Sequence, residues 1–317
     1  MNQDFLDFPV EIEAVEKRIL EAADSSCGLL REVAAYVNLV GGKMLRPRLL
    51  ILVAHSMGSV DERVLRVAAA VELVHMATLL HDDVIDRSTL RRGRPSVNAK
   101  YGDDVAILMA DLLFSKAFDL ALDGMEPEVM RLLCKVTRIM CEGEMFQIER
   151  RDTIFTEADY FRVIKAKTAS LFSAAAALGG ILSKLPASRQ AALEQFGLNV
   201  GMAFQIVDDV FDYTGDADQL GKSVGNDLER GKQTLPLVRT FELASEADRR
   251  ALLHQLRNGR QMSVVLPVIR KYGGLEYAAE RARDFVEEAD RLIPSLNLNS
   301  YSEVFHHLCR FVVERTR

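Results

Sequence analysis

Residues 75–86 read HMATLLHDDVID, and residues 201–212 read GMAFQIVDDVFD. Each is an apolar run that ends in Asp-Asp-x-x-Asp. At about 3.6 residues per turn, Asp82 and Asp86 share a helix face with His75 two turns upstream, and Gln205, Asp208 and Asp212 share another. Carboxylates four residues apart repel each other, and an apolar helix makes charging them harder still. A hard divalent cation removes the conflict, and magnesium suits a site of few carboxylates completed by water and phosphate oxygens. A lone motif of this kind reads as a solvated helix end. Two copies, each following a strongly apolar run, point instead to paired acidic clusters that grip one anion through bridging metal.

Outward from these stretches the pattern stays helical. Residues 10–39 predict a helix broken by Gly41-Gly42, and Pro47 suits the first turn of a buried helix over 47–57. Asp61 is placed to cap a long helix that runs to about Asp86, followed by the loop STLRRGRPS. Helical patterning resumes over 103–122, 127–151, 157–182 and 188–213, then over 234–257, 261–272, 275–292 and 300–315. Between them, residues 214–233 form a long polar loop of the kind that is usually functional. No segment of useful length has strand period. The expected fold is all-α, a bundle of long antiparallel helices around a deep central cavity, forming one domain over 1–317.

Composition narrows the function. With 49% apolar residues, no tryptophan and eight prolines, the chain has ample material for a helical core. Its net charge of −6, with both signs interspersed, argues against nucleic-acid binding. Cys27, Cys134, Cys141 and Cys309 lie far apart, which fits a reduced, cytoplasmic setting and argues against structural zinc. The N-terminal stretch lacks the features of a signal peptide, and no run of the ~18–20 apolar residues of a membrane span is evident.

Cations stand near the acidic clusters. Lys43 and Arg46 lie at a helix start, where backbone N–H groups also favour anions. Arg91 and Arg92 follow the first cluster by a short loop, Lys167-Thr168 lies mid-chain, and Lys222 and Lys232 lie in the polar loop. Singly, each reads as a surface charge. Together, around two metal-type clusters, they form the surroundings a diphosphate needs.

The motifs GGKMLRP (41–47), HMATLLHDDVIDRSTLRRG (75–93), GEMFQ (143–147), KTASLF (167–172), FQIVDDVFD (204–212), GKSVGND (221–227) and GKQTLP (231–236) occur in one order. In this they resemble the trans-isoprenyl diphosphate synthases, or polyprenyl synthetases, over about residues 41–236. The resemblance implies magnesium, three ions per site, bound by Asp82, Asp83 and Asp86 and by Asp208, Asp209 and Asp212. It implies that Lys43, Arg46, His75 and Arg92 hold isopentenyl diphosphate. Around the allylic diphosphate it puts Arg91, Lys167, Thr168, Gln205, Lys222 and Lys232. Asp82, Asp86, Asp208, Lys167 and Lys232 would carry the catalysis. It also implies a homodimer, to which the 103–122 helix could contribute. Met44 departs from the family, which usually has arginine there. His81 is one position off the Asp82 face and reads as a packed neighbour.

The implied reaction ionises the allylic diphosphate and adds the isopentenyl double bond to the resulting cation. Product length follows from the helix bearing Asp82. One turn rises about 5.4 Å, close to one isoprene unit, so a bulky residue one turn below Asp82 would stop growth. That turn carries the small residues Ala77 and Thr78, with Val74 deeper, which favours a long product of about C30–C40. Leu133, Thr137 and Met140 are candidates for a floor on a facing helix. The alternatives are a short-chain synthase of about C15–C20, a terpene cyclase, and a non-catalytic subunit of a heteromeric synthase. The second acidic motif speaks against the cyclase, and the intact aspartates and lysines speak against the subunit.

Overall fold

The computed structural model describes residues 6–37, 42–58, 60–91, 93–122, 126–214 and 225–314. The first helices are α1 (Pro9–Ala23), α2 (Gly28–Val37), α3 (Leu45–Ser56) and α4 (Glu62–Ile85). A two-residue antiparallel pair, β1 (Leu90–Arg91) and β2 (Arg94–Pro95), closes the next loop. Then come α5 (Val97–Tyr101), α6 (Asp103–Leu122), α7 (Pro127–Glu149) and α8 (Glu157–Ile164). A π-helical turn, Lys165–Ala169, joins α8 to α9 (Ser170–Leu182), and α10 (Ala187–Thr214) follows. The remainder is α11 (Asn226–Glu229), α12 (Leu235–Leu243), α13 (Glu246–His254), α14 (Met262–Lys271), α15 (Gly274–Leu296) and α16 (Ser302–Glu314). The all-α expectation holds.

Two helices depart from the sequence reading. The expected 10–39 helix is two, because Asp24-Ser25-Ser26 turns the chain: the Asp24 and Ser25 side chains accept from the amides of Ser25 and Cys27 and compete with the helix ladder. The 234–257 helix also divides, at Ala244-Ser245, where the Ser245 hydroxyl accepts from the Asp248 amide and starts a new helix. The polar loop is described from Gly225 onward; residues 215–224, Lys222 among them, lie outside the described residues, as does Arg92.

Helix α4 starts as expected: the Asp61 carboxylate accepts from the amides of Arg63 and Val64 at 3.0 and 3.1 Å. It packs chiefly on α6, with α3, α1 and α9 around it. By length and composition α4 alone among the described residues matches a membrane span, correcting the sequence reading. Two thirds of that apolar window (67%) is buried inside the protein, the property of a core helix.

At the centre lies α9, which is apolar all round because it is covered on every side. Leu171 and Ala174 belong to the core cluster shared with α4 and α6, while Phe172 and Ala176 belong to the one shared with α10, α15 and α16. Glycines seat the π turn before it. A Cβ on Gly143 of α7 would lie 2.4 Å from the Ala166 Cβ, and one on Gly201 of α10 would lie 2.6 Å from the Ala169 Cα. The π turn is therefore clamped between α7 and α10 at near backbone contact. Gly201→Ala should lower stability by about 1–3 kcal/mol through overpacking. An unchanged urea midpoint would show that α10 yields at this contact.

Candidate active site

A cavity of about 840 Å³ opens between these helices. Its wall takes residues from α4 at helical spacing, namely His75, Thr78, Leu79 and Asp82, and from α10 Phe204, Gln205 and Asp208. Lys43 and Arg46 reach it from the start of α3, Glu144 and Gln147 from α7, and Asp227 and Lys232 from the segment after the polar loop. Lys167 and Thr168 both line it although they are consecutive, and both belong to the π turn, a device common at functional sites. The two acidic motifs thus meet at one cavity, as the sequence predicts.

The charges are arranged around Asp82. Lys167 Nζ lies 4.0 Å from its carboxylate, 3.1 Å from Gln147 Oε1 and in an ion pair with Glu144. Burial raises the Asp82 carboxyl above its ordinary value; Glu144 and Asp86 add to this, and Lys167 and Lys232 only partly offset it. Asp86 caps the C-terminus of α4, just beyond the lining, 3.0 Å from Lys232 Nζ and 3.6 Å from Arg230. Burial alone would push Asp86 up as well, but Lys232, Lys167 and Arg230 hold it below the usual range. Burial works against the Lys232 ammonium, and Asp227 and Asp86 outweigh it and raise it. Lys232 is steadied by its neighbours: the Gln233 side chain accepts from the Phe155 amide and donates to the Thr153 carbonyl, and Tyr213 bonds Thr234. Among the described residues no three acidic or histidine side chains converge into a closed metal site, so the acidic pair Asp82 and Asp86 beside lysines fits a magnesium ion that takes most of its ligands from water and phosphate.

Arg46 lies with its guanidinium 4.6 Å from the Phe172 ring centroid, and burial lowers its ordinary value against the pull of Glu72 and Asp208. Its Nε has no hydrogen-bond partner, a donor left for an anion. Met44 is 3% exposed, so the position departing from the family is a core contact at the cavity edge. His81, read as a packed neighbour, lines the cavity; its ring is tilted against Phe114 at 5.8 Å between centroids and lies 3.6 Å from Asp111.

Several expected site residues lie elsewhere. Asp83 is buried and turned from the cavity: its two oxygens take Arg91 Nε and Nη2 at 2.6 and 2.8 Å. Its expected place as a metal ligand gives way to an anchor that holds Arg91, which does line the cavity. Asp209 lines the cavity beside Asp208, but its oxygens already accept from Tyr160 and Gln205 at 2.7 Å each. Asp212 accepts from the Asp227 amide at 3.1 Å and ties α10 to α11. Of the chain-length positions, Thr78 lines the cavity, whereas Ala77 and Val74 are fully buried in the core. On the facing α7, Thr137 and Met140 line it and Leu133 does not. The sequence reading assigned no role to Glu144, Gln147, Tyr160, Asp227 or Arg230. GEMFQ and GKSVGND flagged three of these as motif members, while nothing flagged Tyr160 or Arg230.

Asp83→Ala should cost about 1–3 kcal/mol of stability, because it strands a charged partner. Divalent-cation binding, followed by calorimetry, should stay that of the wild type. Weakened cation binding with an unchanged urea midpoint would return Asp83 to the metal site.

Comparison with known proteins agrees with this architecture. The polyprenyl synthetase family profile matches residues 28–270. The chain is 34% identical to the octaprenyl diphosphate synthase of Escherichia coli over 314 residues, covering 97% of this chain and 96% of that one. It is 36% identical to a short chain isoprenyl diphosphate synthase of Methanothermobacter thermautotrophicus, covering 96% of each. Among solved structures, a decaprenyl diphosphate synthase from Rhodobacter capsulatus superposes with a TM-score of 0.90 at 35% identity, covering 97% of each chain. A polyprenyl synthase from Caulobacter crescentus, complexed with calcium and isoprenyl diphosphate, gives 0.91 at 31% identity, covering 97% of this chain and 95% of that one. The chain belongs to the polyprenyl synthetase family.

Proposed function

We propose that this protein is a magnesium-dependent trans-polyprenyl diphosphate synthase. It condenses an allylic diphosphate with successive isopentenyl diphosphates to a chain of about C30–C40. The observation that carries this reading is the meeting of Asp82 and Asp208 at one cavity that is cationic near them and apolar further on. Lys167 and Lys232 hold the allylic diphosphate, joined by Lys222 and, through Asp83, by Arg91. Lys43, Arg46, His75 and Arg92 hold isopentenyl diphosphate beside it. Asp82, Asp86 and Asp208 would hold magnesium, which would supply positive charge at the leaving diphosphate. The lysines add fixed charge at the same leaving group, in a site whose low dielectric strengthens the effect. The allylic cation adds the isopentenyl double bond, and the proton lost afterwards passes to the released diphosphate. Phe155, Ile164 and Phe204 give the wall an apolar surface that keeps water from the cation.

The lengthening tail runs past Thr78 toward Phe114, Thr137 and Met140, which line the same cavity. The enzyme is proposed to act as a homodimer, supported by the apolar outer face of α6, where Leu108 and Leu122 are more than half exposed. A cytoplasmic setting accords with four free cysteines, three of them exposed.

The test incubates the protein with farnesyl diphosphate, labelled isopentenyl diphosphate and magnesium, then sizes the dephosphorylated products. The expected result is magnesium-dependent product of about C30 or longer. Product ending at about C20 would keep the reaction and overturn the length. No condensation by folded protein would favour the non-catalytic subunit.

A further inference from the structure

Asp209 sits in the second acidic motif and lines the same cavity as Asp208, yet both of its oxygens are engaged by protein donors. It follows Asp208 by one residue, about 100° around α10, and is 3% exposed. Its Oδ2 accepts the Tyr160 hydroxyl at 2.7 Å, and its Oδ1 accepts Gln205 Nε2 at 2.7 Å. Gln205 Oε1 in turn accepts the Thr168 hydroxyl at 2.7 Å. Tyr160 is itself 2% exposed and sits in α8, whose start is locked by reciprocal bonds between Thr156 and Asp159.

This chain of bonds has one consistent polarity. The Gln205 amide presents its NH₂ to Asp209 and its carbonyl to Thr168, the orientation that an ionised Asp209, which only accepts, requires. The Thr168 proton is then committed to that carbonyl, and the hydroxyl keeps only acceptor capacity toward the cavity it lines. The negative ends of two dipoles, on Gln205 and Thr168, are thereby set at the wall, beside Lys167 and Asp208. That is the polarity that favours a developing cation.

We infer that Asp209 and Tyr160 are positioning residues: they orient Gln205 and Thr168 toward the reacting carbon, and Asp209 does not ligate metal. This rests on the prenyltransferase reading for the cation, while the orientation itself rests on the hydrogen bonds. Substitution by asparagine separates the two roles. In Asp209→Asn the new side chain keeps an oxygen for Gln205 and offers its NH₂ to the Tyr160 oxygen, so the network survives. A metal ligand does not tolerate the same change, because the amide is neutral and a poor donor to magnesium.

Two measurements decide it. Calorimetry first follows binding of inorganic diphosphate with magnesium, without turnover. Asp209→Asn should bind within about twofold of the wild type, whereas Asp208→Asn should bind about tenfold or more weakly. Steady-state kinetics then compares variants of the network. Asp209→Ala should lower kcat about 30-fold or more and Tyr160→Phe about 5- to 10-fold, each with both KM values within about threefold. Asp209→Asn should recover most of the loss seen with alanine. Tyr160→Phe is nearly isosteric, so it reports even where the alanine variant fails to fold. Weakened diphosphate binding in Asp209→Asn, matching Asp208→Asn, would make Asp209 a ligand and overturn the inference. Equal kcat in wild type, Tyr160→Phe and Asp209→Ala would overturn it too. A wild type that binds magnesium diphosphate but does not condense would sink the prenyltransferase reading, and the binding arm would still decide whether Asp209 is a ligand.

Discussion

Asp82→Asn should lower condensation by about 1,000-fold or more and leave the fold as stable as before. The loss follows from position: Asp82 is the acidic side chain of the first motif that lines the cavity, with Lys167 4.0 Å away. The retained stability follows from electrostatics. Burial, Glu144 and Asp86 hold its carboxyl above the ordinary value, so keeping it ionised at neutral pH works against the metal-free fold. Removing that charge relieves strain that serves function, a familiar trade between activity and stability. Kinetics with a denaturation curve checks both halves. An active Asp82→Asn would dismiss the first cluster as a metal site. An inactive variant with a markedly lowered midpoint would mean that Asp82 is structural.

The second large effect concerns product length. Thr78→Phe should shorten the product from about C30–C40 to about C15–C20 while sparing the first condensation. Thr78 precedes Asp82 by one turn, about 5.4 Å down the helix axis, and its side chain lines the cavity. A phenyl ring there stands in the upper part of the tail's path, beside Asp82. Ala77→Phe is the instructive control, because Ala77 is fully buried in the core and a ring there overpacks the contact between α4 and its neighbours. It should lower stability by about 1–3 kcal/mol, without the graded shortening. Product chromatography separates the two outcomes. Long product from Thr78→Phe would put the tail elsewhere.

How much of this was legible depended on range. The paired Asp-Asp-x-x-Asp motifs and their helical faces were readable because period alone places Asp82, His75, Gln205 and Asp208. Local chemistry also marked the Asp61 cap and the starts of most helices. What failed lay in neighbours that a one-dimensional pattern lumps together. Asp83 belongs to the first motif by spelling, yet it lies about 100° from its cavity-facing neighbour, and Asp209 lines the cavity with both oxygens held by protein donors. Their partners, Arg91 and Tyr160, are supplied by β1 and α8. Ala77 was grouped with Thr78 for the same reason, although the helix turns one to the core and the other to the cavity.

Other features depend on contacts between distant segments. Arg230 reaches Asp86 only because the segment after α10 folds back over the end of α4. Glu144 meets Lys167 across α7 and the π turn, and that turn has no period of its own to betray it. The glycines at 143 and 201 were visible as letters, but their meaning needed the facing backbone at Ala166 and Ala169.

The most direct test of the central claim is a crystal structure with magnesium and an allylic thiolodiphosphate, which binds but resists ionisation. The expected density has metal ions touching Asp82, Asp86 and Asp208, the diphosphate against Lys167 and Lys232, and the tail passing Thr78 toward Phe114. Metal on Asp83 or Asp209, or a diphosphate bound away from the space between Asp82 and Asp208, would contradict it.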